Sequence, residues 1–190
     1  RDWSSDVVLF RSGLRDNSLR FEPAPEVEHL RLANLFSARH LDLREDGRVA
    51  CKPAGDAAQI EVRCRVKATG AGRAGIVLTA AADDLVRLFY DRGARRVVLD
   101  FSRARHGGTH PGLCSTISGP VAVGADGEVE LRLFFGHSVV EVYAGGICSS
   151  GRWFPDAPSS IEIGFFAEES AAFFPEADVW QMDTIWRAYR

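Results

Sequence analysis

Residues 60–67 read Ile-Glu-Val-Arg-Cys-Arg-Val-Lys, with an apolar side chain at every even position and a charge at every odd one. Alternate side chains of a pleated strand point to opposite faces, so this segment predicts a strand with one buried and one wet face. Cys64 falls on the buried face, where a thiol packs as a small hydrophobe. Residues 128–135, Glu-Val-Glu-Leu-Arg-Leu-Phe-Phe, repeat the pattern. Val140 and Val142 flank Glu141 in a further short strand, which turns Glu141 away from the core side. Ile161, Ile163 and Phe165 alternate with Glu162 and Gly164. Residues 179–186 are apolar and aromatic enough for a last strand, with Trp180, Met182 and Trp186 on one parity.

Turn chemistry lies between these runs. Gly136-His137-Ser138, Ala144-Gly145-Gly146, Gly124–Gly127 and Asp91–Ala94 each separate two apolar segments, the last dividing Leu85–Tyr90 from Arg96–Phe101. Many short strands joined by tight turns predict an antiparallel all-β protein, and no long helical periodicity competes with it. One short helix is predicted at Pro23–Arg31, where Pro stands in the first turn and carboxylates lie near the positive helix end. Val27, Leu30 and Asn34 share a face of it. Such a helix is too short to hold alone and must dock. His106–Pro120, rich in Gly, Ser, Thr and Pro, reads as a long surface loop.

The composition narrows the function classes. With 190 residues, 46% hydrophobic and 26% charged, the chain is globular rather than disordered. A net charge of −3, with arginines scattered among carboxylates, argues against nucleic acid as a partner. No apolar run approaches the roughly 20 residues that span a bilayer, so no membrane partner is expected. No signal peptide opens at Arg1. Cys51, Cys64, Cys114 and Cys148 form no C-x-x-C pair, which disfavours zinc and leaves buried thiols or a single disulfide. The five histidines match no metal-ligand spacing; His106 and His110 share the predicted loop, as weak ligands or as solvated side chains. Asp83-Asp84, Glu168-Glu169 and Asp126/Glu128 invite comparison with a two-carboxylate glycosidase site, but each pair falls where a solvated turn accounts for it. Trp153-Phe154-Pro155, after a Gly/Ser stretch, is the best candidate for stacking on a sugar ring, but core or interface packing is the weightier reading of it.

The run from Glu128 to Tyr143, Glu-Val-Glu-Leu-Arg-Leu-Phe-Phe-Gly-His-Ser-Val-Val-Glu-Val-Tyr, closely resembles a hairpin of glycoside hydrolase family 32, the β-fructosidases. Leu131, Arg132, Phe134, Ser138, Val140, Glu141, Val142 and Tyr143 keep the family form L-R-[apolar]-F-V-D-R-S-S-V-E-V-F, while Gly136-His137 replaces the Asp-Arg of its turn. Phe89–Arg92 followed by Val97–Arg103 is similar to the family's Y-D-R … L-x-x-D-R-S strand pair, and Val179–Met182 with Ile185-Trp186 to its closing strand. Pro23–Arg31 is similar to the helical linker between the catalytic propeller and the sandwich, and Trp3–Leu9 with Leu19–Phe21 to the exit from the last propeller blade.

This resemblance implies an all-β fold: a two-sheet antiparallel β-sandwich, concanavalin or lectin-like, with one short N-terminal linker helix. It implies residues 1–21 as the propeller exit, 22–36 as the linker and 37–190 as the sandwich. The family's catalytic motifs are not in this sequence: there is no Asn-Asp-Pro-Asn, Arg-Asp is nowhere followed by Pro, and no Glu precedes a Cys. The implied chain is therefore a non-catalytic C-terminal module, with no catalytic residue, metal or cofactor of its own. Its partner is an N-terminal catalytic propeller that hydrolyses or transfers terminal β-D-fructofuranosyl units of sucrose or fructans. Val27 and Leu30 are the expected linker-docking residues. Trp153, Tyr143 and His110 are the candidates for glycan stacking or an interdomain contact. Carbohydrate binding by a free-standing lectin-like module is the rival reading, and a homodimer contact stays open. The resemblance also implies secretion.

Overall fold

A computed structural model describes residues 10–15, 17–51, 59–105, 107–108, 115–157 and 160–183. Its strands are β1 (Phe10–Arg15), β2 (Ser18–Pro23), β3 (Arg31–Leu43), β4 (Arg48–Cys51), β5 (Gln59–Ala68), β6 (Arg73–Ala81), β7 (Asp84–Asp91), β8 (Arg96–Asp100), β9 (Gly107–Gly108), β10 (Thr116–Pro120), β11 (Val129–Gly136), β12 (Val139–Ala144), β13 (Ile147–Trp153), β14 (Glu162–Glu168) and β15 (Ala172–Met182). A six-stranded sheet runs β10-β8-β7-β6-β14-β4, and a seven-stranded sheet runs β3-β15-β5-β11-β12-β13-β9. The β1–β2 hairpin forms a sheet of its own. Every pairing is antiparallel. The fold is the expected β-sandwich.

One continuous core lies between the two large sheets. Ile60, Val62, Cys64 and Val66 fill it from β5, and Leu131, Leu133 and Phe135 from β11. Ile76, Leu78, Val86, Leu88, Ile163 and Phe165 meet them from the six-stranded sheet. These are the alternating positions of the sequence pattern, because inner faces of packed sheets take every second side chain. Cys64 is a buried free thiol, and Cys51 and Cys148 are free as well. Cys114 lies outside the described residues.

Several expectations are refined by the structure. First, the short helix expected at Pro23–Arg31 is present, in 3-10 form over Pro25–Leu30, and it passes directly into β3. Six residues are too few for a stable α-helix, so the tighter turn serves as a connector. Val27 is buried and Leu30 half-buried, whereas Asn34 belongs to β3. Since β3 pairs with β15 along its length, the 36/37 division between linker and sandwich falls inside a strand. Second, the His106–Pro120 loop is shortened by β10, which pairs with β8, and by Gly107–Gly108, which pairs with β13. An edge strand bonded on one side tolerates Thr-Ile-Ser-Gly-Pro, so little in its pattern announces it.

Third, the odd positions of β5 are not uniformly wet. Glu61 is 0% exposed. Fourth, Asp84 of the Asp83-Asp84 turn is buried. The last strand begins earlier than expected, at Ala172, and its Trp180 faces away from the core; Trp186 lies outside the described residues.

Candidate functional site

The residues singled out in the sequence do not converge. Trp153 is 0% exposed, its ring centre lies 5.5 Å from that of Phe135, and its indole Nε1 donates to Asp84 Oδ1 at 2.7 Å. Its indole cannot reach a sugar, so of the two readings core packing holds and the candidate stacking role does not. The end of β13 brings the ring inward, and the buried Asp84 carboxylate satisfies the one polar atom that a buried indole carries. His110 lies outside the described residues. Val27 is already buried within this chain, and the backbone N–H of Asp183 donates to the Leu30 carbonyl at 2.7 Å. Tyr143 takes the outer face of the seven-stranded sheet, edge-on to Phe134 with ring centres 6.1 Å apart.

Nor do the paired carboxylates form a reactive dyad. Asp83 holds Arg105 through both oxygens, at 2.8 and 2.7 Å, and that guanidinium keeps its carboxyl below the ordinary range. Glu168 accepts from Arg87 at 2.8 Å. Asp126 and Glu128 both pair with Arg65. Among the described residues, no three His, Cys, Asp or Glu side chains gather as a metal site.

What the structure does assemble is a line of contacts across the outer face of the seven-stranded sheet. The Arg31 guanidinium stacks 3.9 Å from the Trp180 ring centre and grips Glu61 with Nε and Nη2, each at 2.8 Å. Arg132 Nε donates to the same carboxylate at 2.6 Å. Arg132 then lies 5.0 Å from the Phe134 ring centre. Phe134 meets Tyr143, whose hydroxyl donates to Glu141. Strand register dictates this order, because Glu61 stands opposite Phe134 on one side and Trp180 on the other. Glu28 of the 3-10 turn closes on the same cluster, 3.5 Å from Arg31 and 3.7 Å from Arg132.

The titrations follow from these contacts. The hydrogen bond to Glu61 raises Arg31 further above its already high value. Burial pushes Glu141 above the usual carboxylate range, with the Tyr143 hydroxyl opposing. Burial, and then the bond to Glu141, push Tyr143 upward in turn.

Beside this line a groove of about 970 Å³ opens between β2 and the sheet. Arg20–Pro23 form one wall, and the β12–β13 turn at Gly145-Gly146 forms the end. The Phe21 N–H donates to the Gly146 carbonyl at 2.9 Å, and Arg20 Nη1 to the Gly145 carbonyl at 2.5 Å, so β2 is tied to that turn. Gly145 and Gly146 have φ of +55° and +86°, a left-handed conformation that suits glycine. Arg65, Arg132, Glu128, Glu130 and Tyr143 face the groove from the sheet. Sequence reading found Tyr143 here but missed Arg20, Phe21 and Arg132, and it missed Glu61 in the adjoining line of contacts. The alternation assigns Glu61 and Arg132 to a solvated face, and nothing local reveals that the 3-10 turn and Trp180 cover it.

Comparison with known proteins gives a consistent answer. Residues 26–181 match the family described as Glycosyl hydrolases family 32 C terminal. No curated protein matches. Among solved structures, the exo-inulinase from Aspergillus awamori superimposes with a TM-score of 0.75 at 16% identity, over 93% of this chain and 35% of that one. The fructosyltransferase from A. japonicus gives 0.69 at 20% identity, over 98% and 33%. The fructan 1-exohydrolase IIa from Cichorium intybus gives 0.65 at 18% identity, over 88% and 38%. The chain thus spans about a third of the length of these structures, and at such identities the likeness is one of fold. With the family match running from the 3-10 turn to the last strand, the chain belongs to the C-terminal domains of glycosyl hydrolases family 32.

Proposed function

We propose that this sandwich is the non-catalytic C-terminal module of a longer β-fructofuranosidase-like glycoside hydrolase, and that it seats and stabilises a catalytic propeller preceding it. The observation that carries the reading is the β1–β2 hairpin. Leu14 and Leu19 stand opposite each other on it and are 72% and 59% exposed. An isolated two-stranded sheet is marginal in water, and a cross-strand leucine pair gains stability only when another surface covers it. The hairpin stands on the N-terminal side of the sandwich sequence, and the family match to a C-terminal domain, with only about a third of the matched structures covered, supports a preceding partner for it. The names of those neighbours (inulinase, fructosyltransferase, fructan exohydrolase) support sucrose or fructans as the substrates proposed for the intact protein, cleaved or transferred at a terminal fructofuranosyl unit.

The test is complementation. The 190-residue chain alone is incubated with sucrose and inulin, then mixed with the separately produced preceding region of the same polypeptide. The chain alone releases no fructose, and the mixture forms a complex whose affinity drops about tenfold or more in Leu14→Ser/Leu19→Ser, as expected for losing two buried leucines. Fructose release by the pure chain, or a complex indifferent to both leucines, overturns the proposal.

A further inference from the structure

The β1–β2 hairpin meets the rest of the chain through polar contacts of unequal weight. Arg11 of β1 pairs with Glu26 of the 3-10 turn at 2.5 Å, but both side chains are mostly exposed, so the pair contributes little. The stronger contacts converge on the β12–β13 turn. The Phe21 N–H donates to the Gly146 carbonyl at 2.9 Å, and Arg20 Nη1 donates to the Gly145 carbonyl at 2.5 Å. Burial along β2 follows these bonds. Arg20 and Phe21 are half-buried where β2 crosses the turn, whereas Ser18 and Leu19 before them are exposed. The leucine pair thus stands beyond the crossing point. At its other end β2 runs through Pro23 into the 3-10 turn, which the buried Val27 anchors.

The turn is shaped for this contact. A two-residue loop between antiparallel strands calls for positive φ, which glycine supplies at both positions. The bare backbone that results is what β2 lies against: a Cβ at Gly146 would overlap Arg20 Cδ. A Cβ at Gly145 would come within 2.6 Å of Val121 Cγ2, so the segment after β10 closes on the turn from a second direction. The hairpin therefore rests on a turn that is itself held in place. We infer that the Gly145-Gly146 turn is a latch that fixes the β1–β2 hairpin on the sandwich before any partner arrives, with Arg20 as its positioning residue. A two-stranded sheet is marginal by itself, and the latch supplies the order it lacks. Leu14 and Leu19 are then presented at one angle rather than on a swinging arm. The inference deepens the seating role proposed above and rests on it for the use of the latch: a surface already ordered loses less freedom on association.

Amide hydrogen exchange on the 190-residue chain alone reads the latch, and binding to the separately produced preceding region reads its use. The Phe21 amide is the reporter, since its bond to Gly146 is the latch itself. Arg20→Met keeps the stem and deletes the donor, and Gly146→Ala places a Cβ where Arg20 lies. Each variant is expected to speed exchange at Phe21 and along β1 and β2 about tenfold, as for losing one charge-assisted hydrogen bond. The amides of β5 and β11 in the core keep their wild-type protection. Affinity for the preceding region falls about fivefold in Arg20→Met although Leu14 and Leu19 are intact. Should Gly146→Ala fail to fold, Arg20→Met carries the test. A Phe21 amide that exchanges at the unfolded-chain rate in the wild type overturns the latch, and so does one that neither variant affects. An unlatched hairpin that binds with full affinity overturns the positioning role. A protected, Arg20-dependent Phe21 amide in a chain that forms no complex supports the latch and refutes the seating role alone.

Discussion

The two sheets of the sandwich carry arginine on their outer faces in opposite ways. On the six-stranded sheet, Val77, Leu85, Phe89 and Phe166 form a second apolar cluster, and Arg87 lies over it, 5.3 and 5.8 Å from the two phenylalanine ring centres. Phe89 and Phe166 flank Gly75 on neighbouring strands, where a Cβ would come within 2.2 Å of the Leu88 carbonyl oxygen. Arg87 then reaches out to Asp100 and Glu168, each at 2.8 Å. On the seven-stranded sheet the order is inverted: the carboxylate of Glu61 is the floor, and Arg31, Arg132 and the 3-10 turn lie above it. The first face is apolar burial roofed by a charge. The second is a buried charge, whose stability depends on every partner staying in place.

Removing the buried charge tests this difference most severely. Glu61→Ala leaves Arg31 and Arg132 largely buried with only the longer contacts to Glu28, at 3.5 and 3.7 Å, and it should destabilise the domain by about 3–5 kcal/mol in urea unfolding. The double variant Glu61→Leu/Arg132→Met should recover much of that loss, because replacing a buried pair by apolar residues is often neutral or better. If Glu61→Ala unfolds at the wild-type midpoint, the cluster is not the keystone of this face.

Asp84 sharpens the comparison, as a buried carboxylate satisfied without a guanidinium. It accepts from the Trp153 indole at 2.7 Å and from the Arg105 backbone N–H at 3.1 Å. Trp153→Phe keeps the aromatic packing and deletes one donor, for an expected loss of about 1–3 kcal/mol. Thermal unfolding at neutral pH measures it, and a loss as large as that of Glu61→Ala would erase the distinction between the two kinds of carboxylate.

Arg87→Met completes the series. The methionine keeps an apolar roof over Phe89 and Phe166, so what is lost is the ion pair with the half-exposed Glu168 and the one with the buried Asp100, whose carboxylate keeps the Ser102 N–H at 2.8 Å. The expected change is about 1 kcal/mol, and the Glu168 share of it shrinks with added salt. A salt-independent loss of several kcal/mol would show that Arg87 holds its face as Glu61 holds the other.

The inner faces were legible in the sequence, and the outer ones were not. Alternation at 60–67 and 128–135 locates the core because the sandwich interior takes every second residue whatever the neighbours are. The same alternation calls Glu61 wet, since it carries no record of which strands will flank β5 or what the 3-10 turn will cover. Trp153 was legible in part: a tryptophan after a Gly/Ser stretch is a stacking candidate by type, and the core packing weighed above that role is what the strand end produces by turning it inward onto Asp84. Of the groove, Tyr143 was legible because it belongs to a recognisable hairpin. Arg20 and Phe21 were not, because their place depends on β2 folding back onto a turn some 125 residues further along the chain.

The smallest expected effect is a pH dependence on the seven-stranded face, at the Tyr143 end of its line of contacts. Glu141 is pushed up mainly by burial, while the Tyr143 hydroxyl opposes the shift. Its folded value therefore lies above its unfolded one, and between the two the native state binds the additional proton. The domain is stabilised by this group at low pH and loses that increment as pH rises from the ordinary glutamate range through the raised value. Above it the contribution is flat. Glu141→Gln mimics the protonated form, so its stability relative to wild type should grow across that window and then level off. Urea midpoints of both proteins from pH 4 to 7 measure the difference, a window set by the ordinary glutamate value and an upward shift. A difference that shrinks as pH rises has the wrong sign. It would mean that the Tyr143 hydroxyl outweighs burial, and that this end of the face favours its charge.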